Sequence, residues 1–167
     1  MKRLKIGDIF EIPLSNGKKS FGQYVYREKQ NAPLIRVFDH ILKEGNEINI
    51  QEISSKPLLF PTVITGLYAA IREGIWRVIG NTPIEGFEYP LFVSTFWDQK
   101  TGEAGIWFLW DGEKETRLGK ELPDEYKKLE FLIGWGPPHI VQRIEKCGET
   151  LFPYKGLLEH NQYKPKE

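Results

Sequence analysis

Near the start of the chain, Phe10, Ile12 and Leu14 alternate with Ile9, Glu11 and Pro13, which places the first three on one face of an extended strand. Asn16 and Gly17 interrupt this alternation, and a second alternating run follows them. An Asn-Gly pair between two such runs is the strongest short-range hairpin signal, because a type I′ turn needs positive φ at both central residues. We therefore predict a β-hairpin over residues 8–26 with a type I′ turn at its tip.

Period-two alternation or short apolar runs predict four further strands in the first half of the chain. They cover residues 33–39, 48–51, 58–64 and 75–80. Residues 67–73 are ambiguous because their apolar positions also alternate, but Gly74 follows them, and glycine commonly ends a helix. We predict a short central helix there.

Two tryptophan-rich hairpins are predicted next. Their strands cover residues 91–97, 105–110 and 115–118. The two turns share a short sequence repeat, because the strand before each turn ends in a tryptophan that is followed by an aspartate: Trp97 with Asp98, and Trp110 with Asp111. A β-propeller would need several copies of a repeat of about 40 residues, so this two-residue repeat does not indicate a propeller.

Helical signals dominate beyond residue 120. Residues 123–133 begin with proline and two acidic residues, and residues 137–146 carry one apolar face. The predicted fold class is α+β, with a strand-rich antiparallel sheet or partly open barrel, a short central helix and two helices late in the chain. No linker interrupts the sequence, so we predict a single domain over residues 1–167, of which 96–160 hold the hairpins and late helices and 161–167 form a flexible tail.

Charge and composition exclude several classes of protein. Lys and Arg total 23, as do Asp and Glu, so the formal net charge is +0 and no global field favours nucleic acid or an anionic membrane. No apolar run approaches the roughly 18 residues of a membrane span, and the start of the chain lacks the apolar core of a signal peptide. The single cysteine, Cys147, indicates a reducing compartment. We therefore expect a cytoplasmic protein.

Motifs for catalysis or cofactor binding are absent from the sequence. The histidines have none of the spacings of a metal site, and no nucleophile-elbow, phosphate-binding or dinucleotide motif occurs. Glu11 with Glu28, or Asp98 with Asp111, have the residue types of a glycosidase acid and base, but carboxylates at turns are usually solvated or capping groups. We predict no catalytic residue, no metal ligand and no cofactor.

The five tryptophans have two interpretations. Exposed rings would form a platform for carbohydrate or nucleic-acid bases, whereas buried rings would belong to the core. We favour a core position for most of them. An exposed tryptophan more often marks a protein interface, because tryptophan is enriched among the residues that dominate binding energy.

Several segments of the chain resemble the immunity protein 26 family. They are residues 5–14 with the Asn-Gly turn, the Phe-Gly-Gln segment at 21–23, residues 33–39 and residues 74–83. The resemblance covers residues 5–95. The matching positions, which we expect to be structural, are Gly7, Asp8, Phe10, Pro13, Gly17, Gly22, Trp76 and Gly80. Members are bacterial antidotes encoded beside polymorphic toxins, so the resemblance implies binding to a cognate toxin domain and its inhibition.

An inhibitor needs a preorganised surface with aromatic anchors and complementary charge, and it needs no catalytic residue. We expect the contact surface in the tryptophan-rich hairpins, and its expected residues are Trp97, Asp98, Trp110, Asp111, Glu113 and Glu115. Residues 96–167 lie outside the resemblance and are where we expect partner choice to reside. The alternative is a small barrel-like module that binds nucleic acid or carbohydrate through exposed aromatics. The hypothesis of a toxin inhibitor involves neither a membrane nor a nucleic acid.

Overall fold

The computed structural model describes residues 3–98 and 100–149, and the α+β class is confirmed. Within these residues, eleven strands form two mixed sheets, neither of which closes into a barrel, and three α-helices accompany them. The residues group into two compact units. One contains the chain up to residue 87 together with 134–149, and the other contains residues 88–133.

A seven-stranded sheet forms the first unit. Its strands are β1 (Asp8–Pro13), β2 (Lys18–Tyr26), β3 (Leu34–Val37), β4 (Leu42–Lys43), β5 (Val63–Thr65), β6 (Arg77–Asn81) and β11 (Gly134–Trp135). Their order is β11-β5-β3-β2-β1-β6, with β4 paired to one end of β2. The predicted hairpin is confirmed as β1 and β2, at the centre of the sheet. Only Val63 and Ile64 of the run at 58–64 belong to a strand, β5, and Leu58 forms a single bridge with Phe38. Pro61 lies between them and has no N–H for a ladder.

The turn at the hairpin tip is not the predicted type I′ turn. Gly17 has a φ of +73°, but Cys147 is the only non-glycine residue with positive φ in the described part of the chain, so Asn16 does not share that conformation. The N–H of Gly17 donates to the carbonyl of Leu14 at 3.3 Å, and the N–H of Leu14 donates to the carbonyl of Lys18 at 2.8 Å. These bonds define a three-residue loop, which needs only one left-handed residue.

Three short helices belong to the first unit: α1 (Ile50–Ser55), α2 (Leu67–Arg72) and α3 (Pro137–Glu145). The predictions of α2 and α3 are confirmed, and Gly74 follows α2 with a φ of +72°. The predicted strand at 48–51 is wrong, because α1 begins there. Asn49 caps this helix by accepting a hydrogen bond from the N–H of Glu52 at 3.1 Å, and the helix turns Ile53 into the core.

Two family-like aromatic residues stack in the core of the first unit. The rings of Phe10 and Trp76 lie 5.2 Å apart and nearly parallel, and both side chains are buried. Gly22 pairs with Phe10 across β1 and β2, and a Cβ at Gly22 would lie 2.5 Å from Cζ of the Phe10 ring. Gly22 therefore serves to make room for this ring. A second cluster consists of Ile9, Phe21, Phe38 and Ile53.

The second unit contains a four-stranded sheet. Its strands are β7 (Phe92–Trp97), β8 (Ala104–Trp110), β9 (Glu115–Gly119) and β10 (Glu130–Phe131), in the order β10-β7-β8-β9. Both predicted hairpins are confirmed. Val93, Trp107, Leu122 and Phe131 form the core of this unit.

The first of the two predicted late helices is wrong. Only Asp124–Tyr126 is helical, as one 3-10 turn, and the chain then becomes extended in β10 and β11. Residues 130–131 pair in parallel with β7, and the N–H of Leu132 donates to the carbonyl of Val93 at 2.8 Å. Hydrogen bonds to a distant strand thus replace those within a helix. The predicted tail at 161–167 lies outside the described residues.

None of the helices in the described part of the chain has the length and apolar composition of a membrane span.

Candidate functional site

The first predicted contact residues lie at the turn between β7 and β8. The carboxylate of Asp98 accepts hydrogen bonds from the N–H groups of Lys100 and Thr101, at 2.7 and 3.0 Å. The bonds from Thr101 and Lys100 hold the pKa of the Asp98 carboxyl below its ordinary value. This carboxylate therefore holds the turn in shape.

The turn between β8 and β9 repeats this arrangement. The carboxylate of Asp111 accepts hydrogen bonds from the N–H groups of Glu113 and Lys114, both at 2.9 Å, and the bonds from Lys114 and Glu113 lower its pKa. Asp98 and Asp111 lie just outside opposite ends of β8, and this seven-residue strand spans about 20 Å. The predicted contact residues therefore do not converge on one spot.

The aromatic members of the predicted surface differ in exposure. Trp110 is buried and donates from Nε1 to the hydroxyl of Tyr89 at 3.0 Å, so it offers little surface to a partner. Trp97 is partly exposed, with its ring edge-to-face with that of Phe131. Phe96, which the sequence reasoning missed, is 85% exposed. Glu113 and Glu115 are exposed.

Four of the five tryptophans are buried, as expected for core residues: Trp76, Trp107, Trp110 and Trp135. A continuous stacking platform of tryptophan rings is therefore not formed. No group of three or more His, Cys, Asp or Glu residues within the described ranges could hold a metal ion.

The remaining family-like positions have structural surroundings. The carboxylate of Asp8 accepts hydrogen bonds from the N–H of Lys5 at 2.8 Å and from Nδ2 of Asn81 at 2.9 Å, which ties the start of β1 to the end of β6. Gly7 precedes it with a φ of +92°. Gly80 on β6 pairs with β1, and Pro13 ends β1 at an exposed position.

A cavity of about 480 Å³ lies within the first unit. Its lining comes from the segment before β1, from the end of β2 and the residue after it, and from α2. The lining residues are Arg3, Leu4, Ile6, Tyr24, Arg27, Tyr68, Ile71 and Arg72. On α2, Tyr68, Ile71 and Arg72 share a face because they lie three and four residues apart. We call this feature the arginine-tyrosine cavity.

The charged groups of the arginine-tyrosine cavity all have the same sign. Three arginines line it, and none of the carboxylates in residues 3–98 and 100–149 does. Among the residues that the structure describes, Arg3 and Arg27 have no carboxylate within ion-pair distance, whereas Arg72 approaches its exposed neighbour Glu73 at 3.5 Å. An exposed pair of this kind contributes little energy and leaves the guanidinium able to bind another anion.

Two tyrosines complete the wall of the cavity. The hydroxyls of Tyr24 and Tyr68 are 2.7 Å apart, and their rings meet edge-to-face. Tyr24 is buried and Tyr68 is 45% exposed. Burial, together with the hydrogen bond to Tyr68, raises the pKa of the Tyr24 phenol, so this phenol stays protonated and remains a donor.

The match to known proteins agrees with the resemblance seen in the sequence. Residues 5–104, more than half of the chain, match the family described as immunity protein 26. The matched segment contains β1 to β7 and the aromatic stack. No curated protein and no solved structure matched the chain.

Proposed function

Because the chain belongs to the immunity protein 26 family, we propose that it is an antidote that binds a cognate bacterial toxin domain and inhibits it. The match over residues 5–104 is the observation that carries this proposal. The toxin would be the one encoded beside the gene for this chain, since family members are encoded in that arrangement.

The surroundings of the acidic residues favour a binding role over an enzymatic one. Asp98 and Asp111, the pair considered as acid and base, each hold a different turn and lie beyond opposite ends of β8. Glu11 is held by ion pairs to Lys19 and Arg77, at 3.1 and 3.0 Å. Asp98 and Asp111 are therefore too far apart to act together on a substrate, and the two ion pairs of Glu11 support a structural role for it. Inhibition of a protein requires no catalytic carboxylate.

A protein partner is also favoured over carbohydrate or nucleic acid. The burial of four tryptophans leaves only Trp97 with a partly open ring, and the net charge of +0 provides no general attraction for phosphates. The exposed side chains of Phe96 and Trp97 remain candidates for anchoring residues of an interface.

Co-purification tests this proposal. The full chain is expressed with an affinity tag together with the neighbouring toxin domain, which carries an inactivating substitution so that the cells survive. We expect a complex that persists through size-exclusion chromatography. A toxin domain from an unrelated locus serves as the control and should not co-purify. Failure of every neighbouring toxin to bind the folded chain would contradict the proposal.

A further inference from the structure

We propose that the arginine-tyrosine cavity receives an acidic segment of the toxin, whose Asp or Glu side chains pair with the arginines. This inference rests on the proposed function, because it names the chemistry by which the toxin is recognised. It assigns a role to a region outside the tryptophan-rich hairpins.

Charge complementarity is the first argument. Arg3, Arg27 and Arg72 converge on one concave site from three separate parts of the chain, and none of the acidic side chains that the structure describes lines it. Like charges in one site repel one another, so an anion that enters gains attraction from all three. A guanidinium binds a carboxylate through two parallel hydrogen bonds, which gives both strength and direction.

The tyrosine pair supplies the second argument. Two phenols carry two O–H donors, and one of these is used in the bond between Tyr24 and Tyr68. When the buried Tyr24 donates to Tyr68, the O–H of the more exposed Tyr68 is directed to a group outside the pair. Within the described residues no protein group accepts it, so it is available to a carboxylate oxygen.

The apolar lining favours a protein segment over an isolated anion. Leu4, Ile6 and Ile71 line the same cavity, and Ile6 is 51% exposed. Arginine and tyrosine next to open apolar surface are the composition of the residues that dominate protein interfaces. The volume of about 480 Å³ lies within the usual range for sites that enclose a ligand, so a short stretch of side chains fits it.

Charge reversal tests the inference. The affinity of the full chain for the inactivated neighbouring toxin domain is measured by isothermal titration calorimetry with Arg27→Glu and with Arg72→Glu. We expect each variant to raise the Kd at least about tenfold, the effect of losing a desolvated charge pair. The matched control is Lys43→Glu, which makes the same charge change at an exposed position on β4 outside the cavity; its Kd should change less than about twofold.

A second set of variants separates recognition from folding. Arg27→Ala and Tyr68→Phe are mild changes at exposed residues, and far-UV circular dichroism with urea unfolding confirms that each is folded. Both should weaken binding severalfold. A toxin variant in which the contacting Asp or Glu is changed to Lys should bind Arg27→Glu better than it binds the original chain.

The outcomes distinguish the two proposals. If the unmodified chain binds no neighbouring toxin, both fail. If it binds and the folded cavity variants bind equally tightly, the inference about the cavity is overturned and the antidote function stands. A single-stranded oligonucleotide is tested in the same way. If the unmodified chain binds it, and the cavity variants lose this binding while they still bind the toxin, the inference about the cavity is also overturned.

Discussion

Replacement of Gly22 by alanine is the sharpest test of how the hairpin is built. A new Cβ would lie 2.5 Å from Cζ and 2.6 Å from Cε2 of Phe10, and 3.3 Å from the carbonyl oxygen of Arg36. Carbon atoms in contact normally lie about 3.5–4.0 Å apart, so the Phe10 ring must move by roughly 1 Å. It has little room to do so, because it is fully buried and stacked on Trp76 at 5.2 Å.

The expected loss of stability follows from this overlap. Overpacking in a filled core costs about 1–3 kcal/mol, which exceeds the 0.5–1 kcal/mol that alanine gains over glycine within a strand. Taking the gain off the cost, we expect Gly22→Ala to lower the free energy of unfolding by about 1–2 kcal/mol. For a chain of this size that corresponds to a fall in Tm of about 2–8 °C.

Urea unfolding followed by tryptophan fluorescence and circular dichroism measures the effect. Gly134→Ala is the matched control, since Gly134 also lies in a strand but has nothing within 4 Å of its added Cβ; it should be neutral or slightly stabilising. In a double-mutant cycle, Phe10→Leu should reduce the cost of Gly22→Ala by about 1 kcal/mol. Equal stability of Gly22→Ala and Gly134→Ala would refute this explanation of Gly22.

Two further predictions concern acidity and helix capping. Burial opposes ionisation of Glu11, but hydrogen bonds from Arg77 and Lys19 outweigh it and set its pKa below the ordinary value of 4.5. The stabilising contribution of the Glu11 carboxylate is therefore present above about pH 4.5 and is lost as the pH falls through its folded-state pKa. In urea unfolding at a series of pH values, Glu11→Gln should lose less stability on the acid side than the unmodified chain. An unchanged dependence of stability on pH would contradict this explanation. Asn49→Ala should cost about 1 kcal/mol by uncapping α1. Ser54→Ala, at a partly exposed position of that helix, should cost less than about 0.5 kcal/mol, and equal costs would argue against the cap.

Local patterns were sufficient to predict the hairpins and the central helix. Phe10 and Ile12 lie on one face of β1, although the structure buries every residue from Asp8 to Ile12, and Gly74 takes the left-handed conformation that ends α2. The signal for α1 was present but was outweighed by the alternation of Ile48 and Ile50. Asn49 followed three residues later by Glu52 is the pattern of a capped helix start.

Other features depend on contacts between distant residues and could not be predicted from local patterns. The segment around Phe131 has helical spacing, yet it pairs with β7, which precedes it by more than thirty residues. The same holds for the arginine-tyrosine cavity, because Arg3, Arg27 and Arg72 converge only in the folded chain. The six predicted contact residues were chosen for their type, and type alone did not indicate that Trp110 would be buried.

Growth rescue tests the central claim most directly. Cells that express the active neighbouring toxin are plated with and without the full chain, and Lys43→Glu serves as a surface-charge control that should protect as well as the unmodified chain. We predict that the chain restores growth against its own toxin and leaves an unrelated toxin fully active. Continued killing of cells that contain abundant folded chain, with every neighbouring toxin tested, would contradict the claim that this protein is an antidote.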